Sequence, residues 1–419
     1  MNRSSFYKQF AGTIAITALS GLLFACASAT DVSETSYDTA GNTESTVSTR
    51  ETSSDNIILV TEKDTDPTYE EDGTVKIELQ GNTASCSSSQ VSVSGGTITI
   101  SSEGTYKISG TLSDGQIVVD ADKEDEVHLV LDGCDITSSD SAAIYVISAD
   151  KVFITLESGS SNVLANGGSF STNADDKIDG AIFSKDDLTI NGDGSLEISS
   201  PAANGIVCKD DLVITGGTYD IDCSKNAVEA NDSIVITDGS ITVTGCNDGL
   251  HAENDDDDTL GSIVIQGGEL NIDAVDDAIH GTSLVTVDDG IITVSAAEGI
   301  EGTCITINGG TIDITASDDG INAAHKSDSY SPVVKINGGE ITIKMAQGDT
   351  DGIDSNGDLI ISGGTIDITG QSPFDYDGTC EHSGGTLIVN GTQTDSISNQ
   401  FGGGMGGRGM GGPGGMRPF

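Results

Sequence analysis

A glycine-centred turn returns eight times between residues 217 and 385. The phrases "ITGGTYDID", "ITDGSITVT", "IQGGELNID", "VDDGIITVS", "INGGTIDIT", "INGGEITIK", "ISGGTIDIT" and "HSGGTLIVN" place it at Gly217, Gly239, Gly268, Gly290, Gly310, Gly339, Gly364 and Gly385. Successive turns lie 20 to 29 residues apart. A period of this length means that each repeat buries its apolar face against its neighbours. One repeat reads strand, Gly-Gly turn, strand, acidic turn, short strand, loop. Val and Ile alternate with Thr, Ser and Asp, as half-buried strands require. Beyond the N-terminus no stretch shows a helical period. Three short strands in about 22 residues fit a parallel β-helix; a propeller blade needs about 40, and leucine-rich repeats a different leucine pattern. We read an all-β solenoid over residues 73–394, where about 23 residues per coil make about 13 to 14 coils. With strands about 4.8 Å apart, the rod is about 60 to 65 Å long. The insertions "AENDDDDTLGS" and "AAHKSDSYSP" fall at one point of the repeat, which puts them on one face.

Repeated tight turns need positive φ, which glycine adopts without steric cost. A second phrase joins an acid, a small residue and an aliphatic, as in "SDDGINAA" and "GDTDGIDSN". Its aliphatics, Ile206, Val228, Leu250, Ile279, Ile300, Ile321 and Ile353, form an expected inward ladder. The polar position before them runs Asn204, Asn226, Asp248, Asp277, Glu298, Asp319, Asp351. The position after them carries Glu229, His251, His280, Glu301, Asn322 and Asp354, and Asp276, Asp318 and Asp349 add further acids. Carboxylates about 5 Å apart on adjacent coils repel by about 1 kcal/mol per pair in water and several-fold more near a protein surface. Asp also suits a turn by bonding its own backbone. A divalent ion bridging coils explains the row more fully, since Ca2+ takes six to eight oxygens from carboxylates and turn carbonyls. The expected ligands are Asp248, Asp276, Asp277, Glu298, Glu301, Asp318, Asp319, Asp349, Asp351 and Asp354. "NDDDDTLGS" lacks the spaced ligands and closing Glu of an EF-hand. His251 and His280 occupy equivalent places on neighbouring coils, either as an outward imidazole stack or as a transition-metal pair.

Outside the solenoid, residues 1–25 read as a secretion signal, with Arg3 and Lys8 before the apolar "FAGTIAITALSGLLFA". "LLFAC" ends at Cys26 and resembles a bacterial lipobox, with Phe24 where a smaller residue is usual. Cys26 is the expected lipidation site, and the expected location is outside the cell membrane, held by that anchor. Residues 26–72 read as a Ser/Thr-rich tether, and residues 395–419 as a Gly/Met-rich tail. Seven further cysteines contain no CxxC pair, and buried thiols are the expectation for them. With 67 acidic against 17 basic residues, the formal charge is -50, which repels nucleic acid and anionic lipid.

The succession "AAIYVISADKVFITLESGSSNVL", "DGAIFSKDDLTINGDGSLEI", "NGIVCKDDLVITGGTYDI" and repeated "DDGI" coils resembles the bacterial β-helix carbohydrate-binding domain proteins, polysaccharide-lyase-like binders first described in cellulolytic clostridia. The resemblance spans residues 73–394. It implies a right-handed parallel β-helix, bound calcium and binding of plant cell-wall polysaccharides such as cellulose and polygalacturonate. Asp248, Asp277, Asp319 and Asp351 match its acidic turn best. A lyase on such a fold needs a strong base, commonly arginine, but Arg3, Arg50, Arg408 and Arg417 all lie outside the solenoid. Lys185, Lys209, Lys225 and Lys326 are the remaining candidate bases. For Lys185 and Lys209, each before "DDL", an exposed Lys–Asp pair of small energetic value is the simpler reading. With no Trp, the candidate stacking platforms for sugar are Tyr330, Phe374 and Tyr376. The expected protein is a monomeric, non-catalytic polysaccharide binder; a uronate lyase and an adhesin or spacer are the alternatives.

Overall fold

The computed structural model describes residues 60–170, 177–348 and 350–399. The expected signal peptide, Cys26, Asp349 and most of the expected tether and tail lie outside them. Within them, 36 strands form a single sheet system, accompanied by one helical turn, Glu62–Thr65. Strands pair in parallel with those one repeat earlier and later, so the chain builds three ladders at once. Asn204–Cys208, Val228–Ala230 and Leu250–Ala252 lie in the first ladder. Asp211–Ile214, Ser233–Ile236 and Ser262–Ile265 lie in the second. Thr218–Cys223, Ser240–Cys246 and Glu269–Ala274 lie in the third.

The repeat phase sets the register. Ile206, Val228, Leu250, Ile279, Ile300, Ile321 and Ile353 pair in succession along the first ladder. Each is fully buried, and removing such a side chain from water contributes about 1.5–3 kcal/mol. All eight turn glycines adopt positive φ, from 81° at Gly364 to 120° at Gly290. The glycine of the acidic phrase has a different reason. A Cβ on Gly320 would meet the Gly352 carbonyl oxygen at 2.4 Å and Ile343 Cγ2 at 2.6 Å, so the next coil passes too close for a side chain.

Antiparallel hairpins stand at both ends of the described sheet, Val91–Ser94 with Thr97–Ile100 and Thr386–Val389 with Thr392–Thr394. They interrupt the open parallel edge, a common defence against edge-to-edge pairing. Phe374, 1 % exposed, belongs to the core near the second end. The cysteines depart from expectation at two places: Cys86 and Cys380 are half-buried rather than buried, and Cys223 and Cys246 form a disulfide, with Cα atoms 5.0 Å apart. Their separation of 23 residues is one coil, so stacking brings them to bonding distance. Cys134, Cys208 and Cys304 are buried thiols as expected.

Residues 60–72 are expected to extend the tether, yet residues 60–69 lie on the second ladder. Val60 packs against the outward valines Val213, Val235 and Val264. Asp64, 1 % exposed, receives Lys151 Nζ at 2.8 Å and the Thr189 hydroxyl at 2.6 Å. Its backbone carbonyl accepts the Thr215 hydroxyl at 2.7 Å. Burial alone would raise the Asp64 pKa, but Lys151, Thr189 and Thr61 hold it down at about 2.

Candidate functional site

The outward row next to the inward aliphatics changes character along the first ladder. Its paired positions run Tyr145, Phe183, Val207, Glu229, His251, His280, Glu301, Asn322, Asp354, Asp375. Beside it run the turn acids, with Asp277 paired to Glu298 and Asp319 to Asp351. The sequence therefore places two parallel files of polar groups on one corner, and the repeat alone brings them together.

Over the first coils these acids hold cations of their own. His251 Nδ1 lies 2.9 Å from Asp248 Oδ2. His280 Nδ1 lies 2.9 Å from Asp277 Oδ2 and 2.7 Å from Glu301 Oε2. The two imidazoles stack with centroids 4.6 Å apart and planes 9° from parallel. Lys326, from the inserted loop, reaches Glu301 Oε1 at 2.7 Å. Burial would lower the His280 pKa, but its bonds to Asp277 and Glu301 raise it to about 9, so the ring is an imidazolium at neutral pH. Glu301, 3 % exposed, is held below the ordinary carboxylate range by His280 and Lys326 despite its burial. The expected outward imidazole stack is present, but His280 is buried and serves as an internal counterion.

Farther along the row the acids raise one another instead. Burial, then Asp318 and Asp351, push Asp319 up to about 6. Burial, then Asp319, Asp375 and Asp351, push Asp354 up to about 7. Burial and Glu301 also raise Glu298. Asn322, 8 % exposed, donates from Nδ2 to Glu298 Oε2 at 2.9 Å, while its Oδ1 is buried and accepts no hydrogen bond. Asp319 pairs with Asp351 and Asn322 with Asp354 on adjacent strands, an all-oxygen row with an orphaned acceptor, chemistry suited to a hard divalent cation. Among the described residues the ligand atoms that come within 4.8 Å of one another are those of Asp277, His280 and Glu301 and of Asp187, Asp210 and Asp211. Of the other expected ligands, Asp276 and Asp318 are exposed at the rim.

The expected sugar platforms fare differently. Tyr330 is 9 % exposed, under the other inserted loop, with its hydroxyl 3.3 Å from the Thr259 carbonyl. Ser329 Oγ of the same loop bonds Asp258 Oδ1 at 2.7 Å, so the two insertions clasp each other. Phe374 is in the core, and Tyr376 is half-buried. The rings of Tyr330 and Phe374 therefore pack inward instead of facing solvent.

A second acidic cluster departs from the expected exposed Lys–Asp pairs. Asp186 is buried, bonded to Lys123 and to the Ala149 amide. Oxygens of Asp187, Asp210 and Asp211 lie within 4.8 Å of one another. Burial and Asp187 raise Asp210 to about 7; burial, with Asp187 and Asp232 adding to it, raises Asp211 to about 6. Tyr69, His128 and Phe153, which sequence reasoning does not single out, gather on the second ladder beside residues 60–69.

A curated relative from Acetivibrio thermocellus, described as a carbohydrate-binding domain-containing protein, is 45 % identical over 133 residues, 31 % of this chain and 46 % of the relative. The match thus spans about half of the relative's length. A solved structure described as the polysaccharide lyase-like protein from C. thermocellum, a gadolinium derivative, is 29 % identical, covering 75 % of this chain and 96 % of that one with a TM-score of 0.36. Residues 94–303 and 295–400 match the family described as carbohydrate-binding domain-containing protein. Most of the chain lies within that match, and it belongs to the carbohydrate-binding domain-containing proteins.

Proposed function

We propose that this protein is a non-catalytic, calcium-dependent binder of plant cell-wall polysaccharide, with polygalacturonate as the preferred class and cellulose as a second. In this reading the ladders wind as a right-handed parallel β-helix of about 13 to 14 coils. Lipidation at Cys26 holds it outside the cell membrane, and it acts as a monomer. The observation that carries the reading is the paired row Asp319–Asp351 and Asn322–Asp354, in which burial and mutual repulsion push Asp319 and Asp354 up to about 6 and about 7. It stands beside coils where His251, His280 and Lys326 do the neutralising. Of the ten acids, Asp319, Asp351 and Asp354 are the principal ligands, with Glu298 and Asn322 adjoining. Asp248, Asp277 and Glu301 are already served by side-chain cations. When bound, Ca2+ supplies positive charge to which a uronate carboxylate can add. Without it, a chain of charge -50 repels an anionic polymer.

The lyase alternative needs a free base. Lys326 is held protonated: burial opposes its charge, but Glu301 more than restores it. Lys209 is engaged by Glu229 at 2.9 Å and Lys225 lies 3.8 Å from Asp179. These contacts favour binding over proton abstraction. Isothermal titration of the protein with polygalacturonate, in calcium and then in chelator, tests the reading. Heat in calcium that vanishes in chelator, without new ultraviolet absorbance from unsaturated uronate, is expected. Absorbance growing with time would make it a lyase, and no heat in either buffer would remove polygalacturonate as ligand.

A further inference from the structure

Residues 61–69 cross the outer face of the second ladder, and the repeat itself does not require such a cover. Asp64 pins this segment through Lys151, Thr189 and its own carbonyl. Beside it opens a cleft of about 280 Å³, close to the lower end for small-ligand sites. Lys63, Asp66 and Thr68 form one side, and Thr105, His128 and Phe153 the other. His128 lies 6.0 Å from Phe153 and 6.3 Å from Tyr69, both edge-to-face. The ring is fixed, because His128 Nε2 bonds the Thr155 hydroxyl at 2.6 Å, and that hydroxyl donates to Asn191 Oδ1. Burial lowers the His128 pKa, leaving a neutral aromatic wall.

The polar groups have a definite character. Lys63 Nζ bonds both oxygens of Glu126, at 2.7 and 2.8 Å, and the Thr68 hydroxyl bonds Asp66 at 2.6 Å. Two carboxylates against one ammonium leave the mouth acidic. An anionic uronate is repelled there, and these acids are exposed and apart from the calcium row. Neutral hydroxyls are accepted by such carboxylates, while the C–H face of a ring packs on aromatic carbon.

We propose that this cleft is a calcium-independent site for a neutral saccharide unit, separate from the acid row. The half-buried His128 ring, backed by the buried Phe153, takes the apolar face of the sugar, and Glu126, Asp66 and Thr68 take its hydroxyls. The proposal rests on the reading that the chain binds carbohydrate, but not on the calcium row. Two of these residues, Asp66 and Thr68, belong to a segment preceding the family match, which begins at residue 94.

The test is isothermal titration of the full chain, in chelator, with cellotetraose, xylotetraose and mannotetraose. Binding of at least one is expected. Thr68→Trp, an exposed change that fills the cleft, is expected to weaken it by about tenfold or more. Asp64→Ala, which frees the segment, is expected to abolish it. Both variants should keep polygalacturonate binding in calcium, which also reports that the solenoid is folded. No binding of any of the three in chelator overturns the proposal, as does a Thr68→Trp protein that binds like its parent. If neutral sugars bind but polygalacturonate does not, the calcium reading fails and this one stands. If none of them binds, both fail.

Discussion

Replacing His280 by alanine tests whether part of the acid row is neutralised from within. The ring is 7 % exposed and bridges Asp277 and Glu301 at 2.9 and 2.7 Å. Removing one partner of a buried ion pair costs about 3–5 kcal/mol. Two features put this case at the lower end, about 3 kcal/mol. Lys326 still holds the other Glu301 oxygen at 2.7 Å. Asp277, already raised by burial, can take a proton. The pH dependence has a definite sign. Folding raises the His280 pKa from 6.5 to about 9, so its contribution is complete below 6.5 and is lost as pH rises through about 9. Urea unfolding in chelator should therefore separate variant from parent by the full amount near pH 6. Near pH 10 only the lost packing against His251 should remain. Calcium then becomes more valuable to the variant. An ion that replaces the proton on Asp277 and meets the Glu301 oxygen left by His280 stabilises by about 2.7 kcal/mol at a hundredfold its Kd. A variant as stable as its parent near pH 6 refutes the internal-counterion argument. So does a difference that is equally large near pH 6 and near pH 10.

Asp319→Asn and Asp354→Asn should each weaken calcium binding about tenfold or more in calorimetric titration, whereas Asp248→Asn, whose carboxylate is held by His251, should change it little. In chelator the thermal midpoint should fall as pH rises from about 5 to about 8. Asp319 and Asp354 titrate at about 6 and about 7 when folded, against an ordinary aspartate value of 3.8. The native chain therefore binds more protons in that window, and acid stabilises it. Calcium should flatten the curve; a flat curve in chelator would contradict the raised pKa values. Gly320→Ala, whose Cβ would stand 2.4 Å from the Gly352 carbonyl, should cost about 1–3 kcal/mol by urea midpoint. An unchanged midpoint would show that the neighbouring coil yields.

The parts of this fold that are legible in the sequence share one property: they depend on phase within the repeat. Turn glycines such as Gly310 and Gly339, and inward aliphatics such as Ile300 and Ile321, recur at fixed places, so their neighbours follow from counting. The Cys223–Cys246 disulfide is legible in the same way, since 23 residues is one coil, but an expectation of buried thiols takes no account of that phase. The acid row can be read as a row. Which acids already hold a side-chain cation cannot, because Lys326 enters from an inserted loop and His280 bridges two carboxylates one repeat apart. Contacts that cross between ladders have no phase to reveal them. Asp64 meets Thr189 across 125 residues, and Asp258 meets Ser329 across 71. The same limit explains Tyr330: an aromatic in a polar loop reads as a platform until the loop that covers it is placed. In a repetitive, mostly parallel sheet of this kind, function-bearing variation should therefore be sought in insertions and flanking segments. The repeat sets a regular field of charge, and residues outside the period, such as Lys326, decide where on it that charge is neutralised.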